Sequence, residues 1–438
     1  ATNRYERQVL KKLVNFYVSN LRKTKKKGVD TTVPITIGDV ENLTQNPDLL
    51  TNSLMFTKQQ RGTSSYWKDK LWDLLAKVKC IGPPDIFITL SCADLQWPEL
   101  ETLLRDDLGN DFINMAQGVK SDPVIAALHA DKRFRELLKF LQKSKILGTI
   151  EDYHARVEFQ NRGSVHFHLF LWIKEAPSLA KGSSREEIIE YIDKIISTEW
   201  PDDEEMRELV TVQKHNHIRC MTKRNKCRFH YPRRECEETR ILFTEQRATC
   251  VGNFYELKRT KDAENINAYN PEILKRWRAN MDIQLVYGEK GLAFYVCKYG
   301  MKAEPVELKS KLAETLQNME MESNLNQEGR MMMLGMCQLK TRQMSAQEAA
   351  YTILDLDMVY SNRQVKKIST LRPEKRMKRL NREKLAEKTS DENYNKDETI
   401  EDCFDDNIID IYRKRPRELD NLTLFQFASW YEKRPVDA

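Results

Sequence analysis

Glycine is scarce in this chain, 15 of 438 residues, about half the usual share. That shortage excludes collagen-like repeats and Gly-rich low complexity, and it argues against a propeller. No run of about 18 apolar residues occurs, so no membrane-spanning helix is expected. The opening stretch, Ala1 to Phe16, has no apolar segment of the kind a secretory signal needs. Charge of one sign is lacking too. The 72 Lys and Arg face 66 Asp and Glu, for a net charge of +6. That balance permits nucleic-acid binding without demanding it. Cysteine is present in an odd number, nine, spread from Cys80 to Cys403. This is no secreted disulfide framework, and it implies a reducing, intracellular compartment. No repeat with a period of about 20 to 50 residues is found.

The length is ample for a core without disulfide support and suggests about three domains or subdomains. The pattern is α+β. Residues 1–80 read as helical, with apolar positions near a 3.6 period at Val9, Leu10, Leu13 and Val14 and again from Tyr66 to Val78. The Ile81–Pro84 segment breaks that helix, and Asp85 to Ser91 reads as a strand. A helix is expected over Asp122–Lys145. Tyr153–Gln160 and Val165–Ile173 read as two strands of a hairpin around the turn residues Asn161–Ser164. A charged helical insertion runs from Pro177 to about Leu209. Residues 271–304 read as helical, and the remainder as charged and mostly helical. The acidic stretch Glu387–Asp406 reads as disordered. The basic clusters Arg22–Lys27 and Arg372–Lys384 suit phosphates, although a solvated face is the plainer reading.

The most informative segment is His166-Phe167-His168. Alternate strand residues share a face, so both imidazoles can hold one divalent ion. Seven histidines in 438 residues give roughly 0.1 His-x-His pairs by chance, yet there are two, the other being His215 and His217. The plainer reading is a pair of buried strand histidines. A connection of residues 161–165 would pair Gln160 with His166 and Glu158 with His168, which makes Gln160 and Glu158 the candidates for a third ligand. Mixed N/O ligation suits Mg²⁺ or Mn²⁺ acting on a phosphate, and Zn²⁺ also fits.

Tyr295 and Tyr299 are four apart, on one face if helical. Sixteen tyrosines give roughly 0.6 such pairs by chance, so the spacing alone proves nothing, and an aromatic stripe packed on a sheet is the plainer reading. A phenol can also attack phosphorus, helped by a polarised phosphate and by a cation such as Lys298. A second cluster has the spacing H-x-H-x₂-C-x₆-C at His215, His217, Cys220 and Cys227, which matches a tetrahedral structural Zn²⁺ site. His230 or Cys236 could replace one ligand, and exposed polar residues in a basic loop are the plainer reading. Arg219, Arg224, Arg228, Arg233 and Arg234 lie nearby and suit phosphates.

Together these segments resemble a known family. His166-Phe167-His168 resembles the HUH motif (U for a hydrophobic residue) of rolling-circle replication initiators and relaxases. The wider chain resembles the Rep nuclease region of Helitron transposases. Phe87–Leu100 is similar to that family's first motif and Val157–Trp172 to its metal hairpin. Tyr269–Val286 and Phe294–Glu304 resemble the region of its paired tyrosines. Ser345–Leu354 and Leu422–Pro435 resemble its segments between nuclease and helicase. Cys227–Pro232, CRFHYP, resembles a family segment that usually reads CRFGFP, with His230 in place of the glycine.

The resemblance implies an HUH-type antiparallel sheet flanked by helices, with helical N- and C-terminal regions and a small Cys/His metal-bound insertion. The chain then divides into a nuclease domain at 81–305 with the insertion at 213–236, and a charged helical region at 306–438 leading toward a helicase, while the helical region at 1–80 reads as recognising DNA ends because Arg22–Lys27 are basic and the stretch before them is helical. The resemblance places the metal histidines on His166 and His168, the third ligand on Gln160, and the nucleophiles on Tyr295 and Tyr299. It implies nicking of single-stranded DNA at transposon ends, with a 5′-phosphotyrosine and a free 3′-hydroxyl, in the nucleus, with Mg²⁺ or Mn²⁺ at the nuclease site and Zn²⁺ at the Cys/His cluster. No G-x-x-x-x-G-K-[ST] phosphate loop occurs, so these residues read as a fragment ending before the helicase, or as a member that lost it. The rival readings are a non-catalytic DNA-binding module with structural metals, and a metal-dependent nuclease that uses activated water. Trp172 and Trp277 are candidates for stacking on unpaired bases, though both read more readily as core.

Overall fold

The computed structural model describes residues 4, 6–13, 59–159, 163–178, 181–217, 220, 221, 226–242, 254–286, 311, 314, 315, 318, 327–342, 344–368 and 406–431. Helix α1 (Ser64–Ile81) begins where the Thr63 hydroxyl accepts the Tyr66 N–H, and it ends at Gly82, whose φ of +85° suits glycine. Strand β1 (Ile86–Ser91) follows. Helices α2 (Pro98–Leu108) and α3 (Met115–Ser121) lead to α4 (Pro123–Ser144). Asp122 caps α4 by accepting from Val124 N–H at 2.9 Å and Ile125 N–H at 2.8 Å. The hairpin is β2 (Ile150–Phe159) and β3 (Val165–Ile173). The charged insertion holds α5 (Arg185–Ile195) and α6 (Glu204–Thr211). A small ribbon, β4 (Arg240–Ile241) with β5 (Tyr255–Glu256), precedes α7 (Pro271–Trp277) and β6 (Met281–Leu285). Then come α8 (Gln327–Thr341), α9 (Ala346–Ile353), β7 (Val359–Ser361), α10 (Ile408–Arg413) and α11 (Leu424–Trp430).

The chain is α+β. Five antiparallel strands form one sheet in the order β6-β1-β3-β2-β7. Central β3 is buried on both faces, which explains its nearly unbroken apolar run. Phe167, Leu169, Leu171 and Ile173 enter the main core, where Phe134 of α4 stacks on Phe167 at 4.1 Å. His166, His168, Phe170 and Trp172 alternate onto the other face. Leu74, Val78 and Ile81 of α1 cover the Phe170 and Trp172 end of that face.

Two expectations change. The helix predicted over 271–304 stops at Trp277, because Arg278 turns left-handed (φ +54°). Met281, Ile283 and Leu285 are then buried in alternation with half-buried Asp282 and Gln284, a period of two that pairs with β1. The C-terminal region, expected to be mostly helical, supplies edge strand β7 opposite His154–Arg156, and its Tyr351 and Tyr360 join the main core. Trp172 and Trp277 are only 4% and 0% exposed, so neither offers a face to a base. Arg22–Lys27, Arg372–Lys384 and residues 387–405 lie outside the described residues. Among the described residues, no helix is long and apolar enough to cross a membrane.

Candidate functional site

The hairpin brings His166 and His168 side by side, with ring centroids 4.6 Å apart at 74°. Its register differs from the predicted one. Glu158 faces His166 and Arg156 faces His168, where Gln160 and Glu158 were expected. The displacement is two residues along the partner strand, so the faces are preserved. Glu158 therefore still lies on the histidine face. It reaches diagonally to His168, whose Nε2 lies 2.9 Å from Oε2. From β1, Ser91 Oγ lies 3.1 Å from His166 Nδ1, and Phe87 stacks on the His168 ring at 5.9 Å. Gln160, Tyr295, Lys298 and Tyr299 lie outside the described residues.

Two imidazoles and a carboxylate are donor types that a divalent ion accepts, although these three side chains are not gathered as a three-ligand group. Adjacent ligands of an octahedral ion at about 2.0–2.1 Å lie about 2.9 Å apart, which is the separation of His168 Nε2 and Glu158 Oε2. Burial pushes the His166 imidazole down to about 3, with His168 adding to the shift and Glu158 opposing it. Burial lowers His168 as well, against Glu158. Both rings are thus neutral near pH 7 and have a lone pair to give.

One pH dependence follows. His154, on the same face, is also pushed down to about 3 by burial, with Lys77 next in effect. Below the ordinary histidine value of 6.5 the unfolded chain takes up protons that the folded chain refuses. Stability must then fall as pH drops from 6.5 toward 3, by up to about 1.4 kcal/mol per pH unit for each histidine. Urea midpoints in EDTA between pH 7 and pH 4.5 should show this slope, and His154→Gln should reduce it. A flat profile would contradict the account.

His215, His217, Cys220 and Cys227 come together, with one ligand atom from each lying within 4.8 Å of the others. Among the described residues this is the only group of three or more His, Cys, Asp or Glu placed to share an ion. Cys220 Sγ lies 3.2 Å from both His215 Nε2 and His217 Nδ1, and Cys227 Sγ lies 3.4 Å from His215 Nε2. A tetrahedral N₂S₂ zinc site needs N···S separations of about 3.5 Å. Burial and the neighbouring Cys227 raise the Cys220 thiol, whereas backbone N–H groups of Tyr231, Phe229 and His230 outweigh burial and hold Cys227 below its ordinary value, so Cys227 is the first of the pair to offer a thiolate. His230 and Cys236 stand outside the group. His230 sits at φ +62°, a conformation that glycine adopts freely, which fits the glycine in the segment it resembles. Arg228 and Arg234 are exposed and Arg233 is half-buried.

Two residues of the histidine face had no local sequence signal. Ser91 reaches His166 only because β1 pairs with β3. Asp282 shares the face because β6 pairs with β1, in the row Asp282–Thr89–His168. Burial holds the Asp282 carboxyl up at about 6. Neither neighbour can be read from spacing along the chain.

Residues 6–171 match the family described as "Helitron helicase-like domain at N-terminus". That segment, a little over a third of the chain, is similar to the helicase-like N-terminal domain of Helitron proteins. The match takes in β1 and the hairpin with His166 and His168, and it stops before the Cys/His cluster and the tyrosine pair. No curated protein matches the chain.

Proposed function

We propose that the chain is the nuclease part of a Helitron-type transposase, an HUH-type endonuclease that nicks single-stranded DNA by tyrosine transesterification. The observation that carries this reading is the histidine face. Two neutral imidazoles stand together on β3, with Glu158 2.9 Å from one of them, inside the segment that matches the family.

His166, His168 and Glu158, with Gln160 as a further candidate, would hold Mg²⁺ or Mn²⁺, which supplies charge to polarise a phosphoryl oxygen. The chain's own groups do the rest. Ser91 and Phe87 fix the orientation of the two rings. Tyr295 or Tyr299 would lose its phenolic proton and attack phosphorus. The new Oη–P bond replaces the P–O3′ bond, and the 3′ oxygen leaves to become a hydroxyl after taking a proton. Lys298 would offset the charge of the phenolate. The second tyrosine would allow a second strand to be captured before the first is released. The Cys/His cluster would hold Zn²⁺ and order Arg228, Arg233 and Arg234 for contact with phosphates.

A denaturing gel tests this directly. Labelled single strands are incubated with Mn²⁺ or with EDTA, using the native chain, Tyr295→Phe, Tyr299→Phe and the double variant. A slow-migrating protein–DNA adduct is expected with Mn²⁺ only, and its loss is expected in the double variant. Undiminished cleavage by the double variant would favour a nuclease that uses activated water. Tight binding without cleavage would favour a DNA-binding module.

A further inference from the structure

Among the described residues β6 is an edge strand, and its outer edge meets side chains from the neighbourhood of the Cys/His cluster. Along β6, Met281 and Leu285 point their backbone groups away from β1. The Met281 N–H donates to Gln213 Oε1 at 3.2 Å, and Gln213 Nε2 donates to Ala279 C=O at 3.3 Å. The Met281 C=O accepts from Asn267 Nδ2 at 2.7 Å. The Leu285 N–H donates to the Tyr255 hydroxyl at 3.1 Å. Exposed sheet edges are liabilities that proteins cover. Here a buried glutamine amide, 0% exposed, imitates a neighbouring strand.

The same residues are tied to the cluster. Gln213 lies two positions before His215, and its C=O accepts the Asn267 N–H at 2.9 Å. The His215 N–H donates to Asn265 C=O at 2.8 Å. The His215 ring stacks on Tyr231 at 4.4 Å, and the Tyr231 hydroxyl donates to Asn267 Oδ1 at 2.9 Å. One unbroken path therefore runs from a cluster ligand through Tyr231 and Asn267 to the backbone of Met281. On the inner side of β6, Ser91 N–H donates to Asn280 C=O at 2.9 Å, and Ser91 is the residue that meets His166.

We infer that the Cys/His module is a metal-dependent cover for the β6 edge, so that loading the cluster seats the edge strand beside the histidine face. Gln213, Asn267 and Tyr231 are the positioning residues. The inference rests on the reading that the four ligands hold a metal. Without the metal, the His215 ring is held only by its stack on Tyr231 and by its backbone hydrogen bond to Asn265, so the hold of Asn267 and Gln213 on Met281 loosens.

The test is hydrogen exchange of the full chain, read by mass spectrometry on segments 279–286 and 165–173, with zinc content measured in parallel. Chelating the zinc should speed exchange in 279–286 about tenfold while 165–173 stays protected. Gln213→Leu should give the same local increase with one zinc per chain still bound. Tyr231→Phe, which keeps the stack and removes only the hydroxyl, should give a smaller increase in the same segment, and it carries the test if Gln213→Leu does not fold. Zinc uptake with unchanged exchange in 279–286 after chelation would overturn the inference and leave the zinc reading standing. Absence of any zinc uptake would overturn both.

Discussion

His166→Ala combined with His168→Ala is expected to lower metal-dependent cleavage by about three orders of magnitude while the fold survives. The two rings sit 4.6 Å apart on one face of the central strand, and burial keeps both neutral. Without them Glu158 alone cannot bind a divalent ion tightly. Mn²⁺ affinity should fall together with the rate, and DNA binding, which depends on phosphate contacts made elsewhere, should change little. Glu158→Gln is expected to weaken the metal less, by about 10- to 100-fold, because a neutral oxygen ligand remains. Cleavage assays over a Mn²⁺ titration read all three effects. Full activity in the double histidine variant would remove the hairpin from the chemistry.

Asp152→Ala should destabilise the chain by about 3–5 kcal/mol, the cost of breaking a buried ion pair. Asp152 is wholly buried and takes Lys77 Nζ at 2.5 Å, with Arg363 on its other oxygen. Lys77 also donates to Tyr153 C=O at 2.9 Å and Ser361 Oγ at 2.7 Å, so the pair ties α1 to β2 and β7. Removing the carboxylate strands an ammonium 3% exposed. Asp152→Leu with Lys77→Met should recover most of the loss, because no charge is then left buried. Urea unfolding of the three proteins measures this. Equal losses in the single and double variants would show that packing, not charge, sets the cost.

Legibility followed the range of each interaction. The helices Ser64–Ile81 and Pro123–Ser144 and the hairpin strands carry their own periodicity and turn chemistry, and they are readable at sight. The Cys/His cluster was readable because its ligands lie within 13 residues, His215 to Cys227, so spacing alone brings them near one another. The hairpin faces were readable, but the register was not. Turn residues Asn161–Ser164 are compatible with more than one loop closure, and only the packing of β3 between β1 and β2 chooses among them. Strand β6 reads as helix in the sequence because Met281–Leu285 follows a true helix and is too short for period two to stand out beside 3.6. Its pairing with β1 is a contact across nearly 200 residues, as are those that bring Ser91 to Trp277 and α9 beneath the sheet. No local pattern encodes these.

The proposed chemistry joins a tyrosine of this chain covalently to the 5′ end of cleaved DNA. The most direct measurement is mass spectrometry of the protein after incubation with Mn²⁺ and a single-stranded oligonucleotide, followed by nuclease and protease digestion. The account predicts a phosphonucleotide on the peptide containing Tyr295 and Tyr299, absent with EDTA and absent from the variant lacking His166 and His168. Cleaved DNA with free 5′ ends and unmodified tyrosines would contradict it.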